Sequence, residues 1–261
     1  MTGKTRSSLW ARLCASSALA HAQRVPPREI DRGLVLAVAA VDSRMLTTPV
    51  SVMLAQLLAA STHGQVVLVD ADGVNQATRG PAGAKVAGDI EALTRIDAAE
   101  LNRARIQSCA DTSGVVPVLA ARVQDRRPLD PEVVESGVQR VRHRWPTVVV
   151  DLPFTCPMEV IAAGTRLAQH VVLVVDKHHQ DHQWLYQPGH SLASAARQGR
   201  VTVLKVGASV RETLPKDTFA LPAPIVGTTA QDRVMVPTDV ESLTAFHRLL
   251  SRLYPSLGNE Q

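Results

Sequence analysis

The sequence predicts an α/β fold, a doubly wound and mostly parallel sheet of about seven strands with helices on both faces. Short runs of mostly β-branched, apolar residues recur along the chain, and helical patterns separate them. Such runs are typical of strands that are buried on both faces, and burial of this kind requires helix layers on either side of a parallel sheet. The chain has 261 residues, which is long enough for one such domain, and its sequence contains no internal repeat.

The first elements alternate between strand and helix. An apolar run of strand length precedes a helix that is apolar on most faces, and Pro49 fits its first turn, where a missing N–H is not needed. A polar helical stretch and another strand follow a Gly- and Ala-rich segment. In chain order, these predicted elements are strand Leu34–Ala40, helix Pro49–Ala60, strand Val66–Val69, helix Asp97–Gln107 and strand 114–121.

The alternation continues to the end of the chain. Pro131 begins a helix that carries its valines on one face, and the last helix is amphipathic with Thr238 or Asp239 as its cap. In chain order, the elements are helix 131–145, strand 147–153, helix 157–170, strand 171–176, a turn and helix at 187–199, strand 200–207, strand 223–229 and helix 239–254. Ligands of such sheets bind at the carboxyl ends of the strands.

A basic arm, residues 1–29, precedes the single domain that we expect over residues 30–261. Early basic residues, a short apolar run and an Ala-rich end give the arm the outline of a signal peptide. However, Arg12 leaves only Leu13–Ala20 uninterrupted, at the short end of the usual range of about 7–15 residues. We therefore expect either a mobile arm or a short amphipathic helix that contacts a membrane or a partner, with Trp10 on its apolar face.

Composition limits the protein class. Three widely spaced cysteines without a C-x-x-C pair predict neither a disulfide framework nor a structural zinc site, which favours the cytoplasm. No apolar run reaches the length of a transmembrane helix, so any membrane contact is expected to be peripheral, at the inner face. The net charge of +4 is too modest to indicate nucleic-acid binding by itself.

Acidic residues at two strand ends resemble a known motif set. Asp70 and Asp72 close the second strand as D-x-D, and Asp151 begins a D-x-P at the end of the fourth. With the elements around them, from about Leu34 to the last helix, they resemble the MinD/ParA family of deviant P-loop ATPases. The resemblance implies a P-loop NTPase-like fold, acids that position the attacking water and the water shell of magnesium, and dimerisation around ATP. Residues 113–151 also resemble the MinD-like proteins linked to type VII secretion.

The loop before the first helix departs from the family pattern, which reads roughly K-G-G-x-G-K-T-T. Asp42 stands at the signature lysine, and Ser43 and Arg44 replace the paired glycines. Thr47 stands at the main phosphate lysine, while Thr48 keeps the hydroxyl that would face magnesium. Without glycine the backbone N–H groups cannot close cheaply around a phosphate, and without lysine its charge is not neutralised. The loop is therefore a degenerate Walker A loop.

A second departure lies at the sixth strand, where Lys205 replaces an Asn that contacts the base in the family. We therefore expect no cofactor, and ATP with magnesium belongs to the alternative in which the ATPase is unusual but active. The surviving acids are expected to pair with Arg44 or Arg79 or to cap helices. A divalent cation bound there without nucleotide is the other interpretation.

A histidine-rich segment follows the fifth strand. His178 and His182 have the i, i+4 spacing that can hold zinc, although no Glu lies between them as in metalloprotease motifs. The alternative is a polar surface that contacts a partner, since Trp and Tyr are preferred interface anchors. The predicted partner-binding residues are His178, His179, His182, Trp184 and Tyr186.

The predicted function is that of a non-catalytic pseudo-ATPase, a scaffold or regulatory partner of a membrane-associated or secretion-type assembly. No catalytic residue is assigned. The expected partner is a protein, as a homodimer or as a heteromer with an active relative. Two alternatives are an unusual but active nucleotide-dependent ATPase switch and a DNA-associated partition protein; the modest charge and the lack of a concentrated basic helix disfavour the latter.

Overall fold

Seven parallel strands form one sheet in the order β3-β2-β4-β1-β5-β6-β7. The computed structural model describes residues 34–40, 47–61, 65–85, 88–179, 182–190, 192–209, 212–215, 217–222 and 240–254. The strands are β1 Val35–Ala40, β2 Val66–Asp70, β3 Val118–Leu119, β4 Thr147–Leu152, β5 His170–Asp176, β6 Val201–Val206 and β7 Thr218–Leu221. The predicted fold class is confirmed. The N-terminal arm and the loop of Asp42, Ser43 and Arg44 lie outside the described residues.

Helices cover both faces of the sheet. They are α1 Thr47–Ser61, α2 Arg79–Ala82, α3 Ile90–Arg95, α4 Arg103–Ser108, α5 Pro131–Val141, α6 Met158–Leu167, α7 Ala193–Arg197 and α8 Val240–Leu253, with 3-10 turns at Ala98–Glu100 and Gln183–Tyr186. Successive strand residues point to opposite faces, so each central strand contributes to two cores. One core joins α1 and α8 to the sheet, and the other joins α3, α5, α6 and α7 to it.

The structure adds one strand and departs from two predicted elements. The sequence did not predict β7 at Thr218–Leu221, where alternate residues Phe219 and Leu221 pack into the α1 core. The third strand, predicted at 114–121, is only two residues long, and its Val118 also forms an antiparallel bridge with Asp111. The strand predicted at 223–229 falls on residues outside the described part of the chain.

The predicted helix Asp97–Gln107 is wrong as one element. It is divided into a 3-10 turn and helix α4, because Asn102 is extended and its side chain accepts a hydrogen bond from the backbone N–H of Arg105. An Asn in this conformation is a helix N-cap, and it begins a new helix rather than continuing the previous one. The site described below lies elsewhere, at the carboxyl edge of the sheet.

Candidate functional site

Asp151 joins the end of β4 to the start of α1. Its carboxylate accepts one hydrogen bond from the hydroxyl of Thr48 and one from the hydroxyl of Ser51, each at 2.6 Å. The side chain is fully buried. Strand alternation places it on the α1 face of the sheet, the same face as Val149 two residues earlier. Both carboxylate oxygens are therefore engaged by hydroxyls of the helix that follows the degenerate loop.

Asp70 is the register partner of Asp151 in the neighbouring strand. It accepts hydrogen bonds from the hydroxyl of Thr78 at 2.6 Å, from the backbone N–H of Thr78 at 3.1 Å and from that of Asp72 at 2.8 Å. Burial raises the pKa of Asp70 to about 6. Burial, assisted by the charge of Asp70, raises the pKa of Asp151 to about 7. Two adjacent buried acids thus disfavour the ionised form of each other.

Asp72 lies nearby but in a different electrostatic state. Its oxygens accept from the backbone N–H groups of Val74 and Asn75, from the side-chain amide of Asn75 and from the hydroxyl of Thr155. Burial raises the pKa of Asp72, but these hydrogen bonds outweigh it and the net pKa is lowered. Asp72 is therefore held ionised by hydrogen-bond donors from the segment after β2 and from the loop after β4.

The structure brings together the predicted acids Asp70, Asp72 and Asp151, and Thr48 joins them. Thr47 is the buried first residue of α1, and its carbonyl accepts a hydrogen bond from Ser51. The sequence interpretation did not assign Ser51, Thr78 or Thr155 to the site. No local motif reveals these donors, because their partners are up to about 100 residues away in sequence.

The expected partner Arg79 lies beside this acid group. Its guanidinium donates to the side-chain oxygen of Gln76 and to the backbone carbonyl of Ala121. Burial lowers the pKa of Arg79, and the negative charge of Asp70 opposes that shift. Arg79 therefore contributes a favourable long-range interaction with Asp70, while the acids are satisfied mainly by hydroxyl and amide groups.

The histidine-rich segment is only partly exposed. His178 is exposed and its backbone N–H donates to Asp176, whereas His182 is buried with Nε2 3.1 Å from a carboxylate oxygen of Asp217. The hydroxyl of Tyr186 donates to the same carboxylate, and 39% of the Tyr186 residue is exposed. The segment between β5 and α7 is thereby fastened to the start of β7.

Trp184 is half-buried and packs against the core, with its ring edge-on to that of His190 at a centroid distance of 4.9 Å. His179 instead stacks on His182, at 5.8 Å between ring centroids. Among the described residues, no group of three or more His, Cys, Asp or Glu side chains is arranged to hold a metal ion. Asp181, between the two predicted zinc ligands, lies outside those residues.

Lys205 lines a cavity between the segment after β5, the end of β6 and the segment that leads into β7. The cavity has a volume of about 240 Å³ and is lined by His179, His182, Lys205, Glu212, Thr213, Leu214, Pro215 and Thr218. The ammonium of Lys205 lies 3.4 Å from the carboxylate of Glu212, and its side chain is 14% exposed. An acid–base pair therefore lies beside this cavity, at the end of β6.

Comparisons with known proteins define the class of fold. No protein-family model matches the sequence, and neither does any curated protein. Many solved structures are similar to it, including the following three. A plasmid partition protein of Borrelia burgdorferi bound to AMPPNP has a TM-score of 0.54 and 10% identity, covering 87% of this chain and 100% of that one.

The cell division ATPase MinD of Pyrococcus furiosus has a TM-score of 0.53 and 13% identity, over 86% of this chain and 99% of that chain. Cobyrinic acid a,c-diamide synthase of Mycobacterium smegmatis, with a bound ATP analogue and magnesium, has a TM-score of 0.51 and 15% identity, over 86% and 96%. The chain has a MinD/ParA-like fold. None of the helices in the described ranges is both long enough and apolar enough to cross a membrane.

The raised pKa of Asp151 makes a testable contribution to stability. Its folded pKa of about 7 exceeds the ordinary 3.8, so folding favours the protonated form. This contribution is present at low pH and is lost as the pH rises through about 7. Asp151→Asn is neutral at all pH values, so we expect wild type to lose stability relative to Asp151→Asn between pH 5 and pH 8, by roughly 2 kcal/mol.

Urea unfolding of both proteins at several pH values measures this difference. Asp72→Asn is the matched control, because the pKa of Asp72 is lowered and Asp72 stays ionised over the same range. Its stability difference from wild type should therefore change much less from pH 5 to pH 8 than that of Asp151→Asn, because the charge of Asp72 is the smallest of the causes that shift the pKa of Asp70. If the difference for Asp151→Asn is constant over this range, Asp151 is ionised in the folded protein throughout, contrary to the expectation.

Proposed function

We propose that the protein is a non-catalytic pseudo-ATPase with a MinD/ParA-like fold, acting as a scaffold or regulatory partner in a membrane-associated or secretion-type assembly. The observation that carries the proposal is the phosphate loop. Between Leu34 and Thr62 the chain has neither glycine nor lysine. Each lost hydrogen bond to a charged group removes about 1.5–3 kcal/mol, so several losses weaken phosphate binding by several powers of ten.

The residues at the magnesium position fit a magnesium nucleotide poorly. The hydroxyl of Thr48 donates to Asp151, and the second oxygen of Asp151 accepts from Ser51. Magnesium prefers ionised oxygen ligands in octahedral geometry, usually with several retained waters. Both carboxylate oxygens of Asp151 are thus engaged by hydroxyls of α1, so neither oxygen is left without a partner. These features support a structural role for the inherited acids, as ties between strand ends and α1.

The proposal predicts no measurable ATP turnover and no thermal stabilisation by millimolar Mg-ATP. A ligand far below its dissociation constant adds almost nothing to stability, so the midpoint should not move. Thermal unfolding and phosphate release, measured with and without Mg-ATP, provide the test. A clear upward shift, or turnover that disappears in Asp72→Ala while the fold is intact, would contradict the proposal and favour an active switch.

The proposed scaffold contacts a protein partner, as a homodimer or as a heteromer with an active relative. The predicted surface is the segment from His178 to Tyr186. Burial of His182 and of most of Trp184 limits the accessible part to His178 and Tyr186, with His179 partly accessible. Tyr is a preferred interface anchor because it buries a large area with few rotatable bonds.

Tyr186→Ala is expected to weaken the partner complex by about 2 kcal/mol if Tyr186 is a hot spot, with a small change in melting temperature. Trp184→Ala removes a side chain that packs on the core, so it should lower the melting temperature first. Pull-down from native lysate with wild type and both variants, followed by thermal melts, compares the two. Unchanged partner recovery by Tyr186→Ala would exclude this segment as the contact surface.

A further inference from the structure

The cavity beside Lys205 has charged side chains of opposite sign at two depths. Its volume is about 240 Å³, and Lys205, Glu212 and Leu214 are among its lining residues. A cavity of about 150 Å³ accommodates benzene, so this one has room for roughly ten non-hydrogen atoms. The side chain of Lys205 is 14% exposed, whereas that of Glu212 is 45% exposed. Lys205 therefore lies in the deeper part of the cavity, and Glu212 lies nearer its mouth.

Lys205 and Glu212 form only a loose ion pair. The ammonium of Lys205 lies 3.4 Å from one carboxylate oxygen of Glu212, whereas charge-assisted hydrogen bonds usually measure about 2.7–2.9 Å. The other oxygen of Glu212 accepts a hydrogen bond from the backbone N–H of Ser209 at 3.2 Å. An ammonium carries several donors, and a carboxylate has several acceptor positions. Both groups therefore keep the capacity to bind a ligand that enters the cavity.

An ionised carboxylate fixes the histidine wall of the cavity. Nε2 of His182 lies 3.1 Å from Asp217, which also accepts a hydrogen bond from the hydroxyl of Tyr186. Burial raises the pKa of Asp217, but these hydrogen bonds outweigh that effect and the net pKa is lowered. Glu212 thus matches the charge of Lys205, and Asp217 matches any charge on His182. A ligand with a net negative charge, such as phosphate, therefore gains little from this balanced arrangement.

The segment that leads into β7 gives the cavity an apolar wall. Leu214 and Pro215 line it there, and Leu214 is half-buried. A small aliphatic group placed against this wall leaves water, which favours binding. A neutral planar ring would instead cover Lys205 and Glu212 without replacing the water that solvates their charges. The cavity thus offers a cation, an anion and an apolar wall within the space of one small molecule.

We propose that this cavity binds a free α-amino acid with a small aliphatic side chain. The α-carboxylate meets Lys205 in the deeper part, and the α-ammonium meets Glu212 near the mouth. The aliphatic side chain packs against Leu214 and Pro215. A zwitterion satisfies both charged groups at once, whereas an anion or a cation satisfies one and is repelled by the other. The inference goes beyond the proposed function and does not depend on it, because it rests on other segments than the phosphate loop.

Calorimetric titration and thermal unfolding of the full chain with L-leucine test the proposal, since leucine has the size that the cavity accommodates. Two close analogues separate its charged groups, because 4-methylpentanoate lacks the ammonium and 3-methylbutylamine lacks the carboxylate. L-Leucine at about 10 mM should bind saturably and raise the melting temperature. Each analogue should bind at least tenfold more weakly, because each loses one hydrogen bond between charged groups.

Two single variants assign the ligand's charged groups to their partners. Lys205→Met should weaken L-leucine binding at least tenfold but should not weaken the binding of 3-methylbutylamine, which has no carboxylate to lose. Glu212→Gln should weaken L-leucine binding at least tenfold but should not weaken that of 4-methylpentanoate. Lys85→Met and Glu132→Gln make the same charge changes at exposed positions elsewhere, and both should bind L-leucine as wild type does. Melting temperatures without ligand show that each variant is folded.

The proposal is overturned if L-leucine, L-valine and L-methionine all fail to bind saturably, or if L-leucine and its two analogues bind equally well. L-Leucine binding that is unchanged in Lys205→Met and Glu212→Gln would also overturn it, because the ligand would then lie elsewhere. So would binding of adenosine that Lys205→Met weakens, since the cavity would then be a nucleoside site. Titration with Mg-ATP is a separate experiment, so a failed leucine test leaves the pseudo-ATPase assignment to be judged by its own result.

Discussion

Leu54→Asp is expected to unfold the domain. Leu54 is 2% exposed, on the face of α1 that packs against β1, β2 and β4. The substitution removes a buried leucine, a loss of about 2–5 kcal/mol for such truncations, and also buries a charge without a partner. The sum approaches the whole stability of about 5–15 kcal/mol of an ordinary domain. Circular dichroism and urea unfolding measure it.

Met158→Asp is the control for this variant. Met158 is 63% exposed and is the first residue of α6, where an acidic side chain interacts favourably with the helix dipole. It should retain the wild-type fold and midpoint. A folded Leu54→Asp protein with a midpoint near that of Met158→Asp would mean that α1 is not buried against the sheet.

The double variant Thr48→Val, Ser51→Ala should have the second largest effect. It removes both hydroxyls that donate to Asp151, each a hydrogen bond to a charged group when Asp151 is ionised. Such bonds contribute about 1.5–3 kcal/mol each, so a loss of about 3–6 kcal/mol is expected at pH 8. At pH 5 the loss should be smaller, because the pKa of about 7 leaves the carboxyl protonated and less dependent on donors.

Urea unfolding at both pH values tests this double variant. Thr94→Val is a suitable control, since Thr94 donates only to the carbonyl of Glu91 within its own helix and its loss should change stability little. If the double variant is as stable as wild type at pH 8, then Asp151 does not depend on these hydroxyls. Thr48 would then be free to bind magnesium, which weakens the proposed structural role.

Local sequence patterns predict the elements that the core requires. The β-branched run at β4 and the helix opened by Pro131 are each confirmed within a few residues, because burial on both faces demands apolar side chains throughout. The edge strand β7 at Thr218–Leu221 was not predicted, and the strand predicted at 223–229 lies outside the described residues. This short edge strand has only Phe219 and Leu221 on its inner face, so its apolar pattern is weak. The neighbouring apolar run at 223–229 resembles a strand at least as well in the sequence.

In the candidate site, the positions of the acidic residues could be predicted from the sequence, whereas their hydrogen-bond donors could not. Strand ends fix where Asp70 and Asp151 lie, so their convergence follows from topology. Their hydrogen-bond donors are set by tertiary packing, which gives no local signal in the sequence. The histidine segment illustrates the same limit, because the spacing of His178 and His182 does not reveal that one is exposed and the other buried against Asp217.

Calorimetric titration of the full chain with Mg-ATP, Mg-ADP and magnesium alone tests the central claim most directly. An active MinD/ParA ATPase, titrated in the same buffer, provides the positive control. The proposed pseudo-ATPase should give no saturable heat with any of the three ligands at millimolar concentration, because its loop lacks the glycines and lysines that hold phosphate. Saturable, magnesium-dependent ATP binding that Thr48→Val abolishes without destabilising the fold would contradict the account.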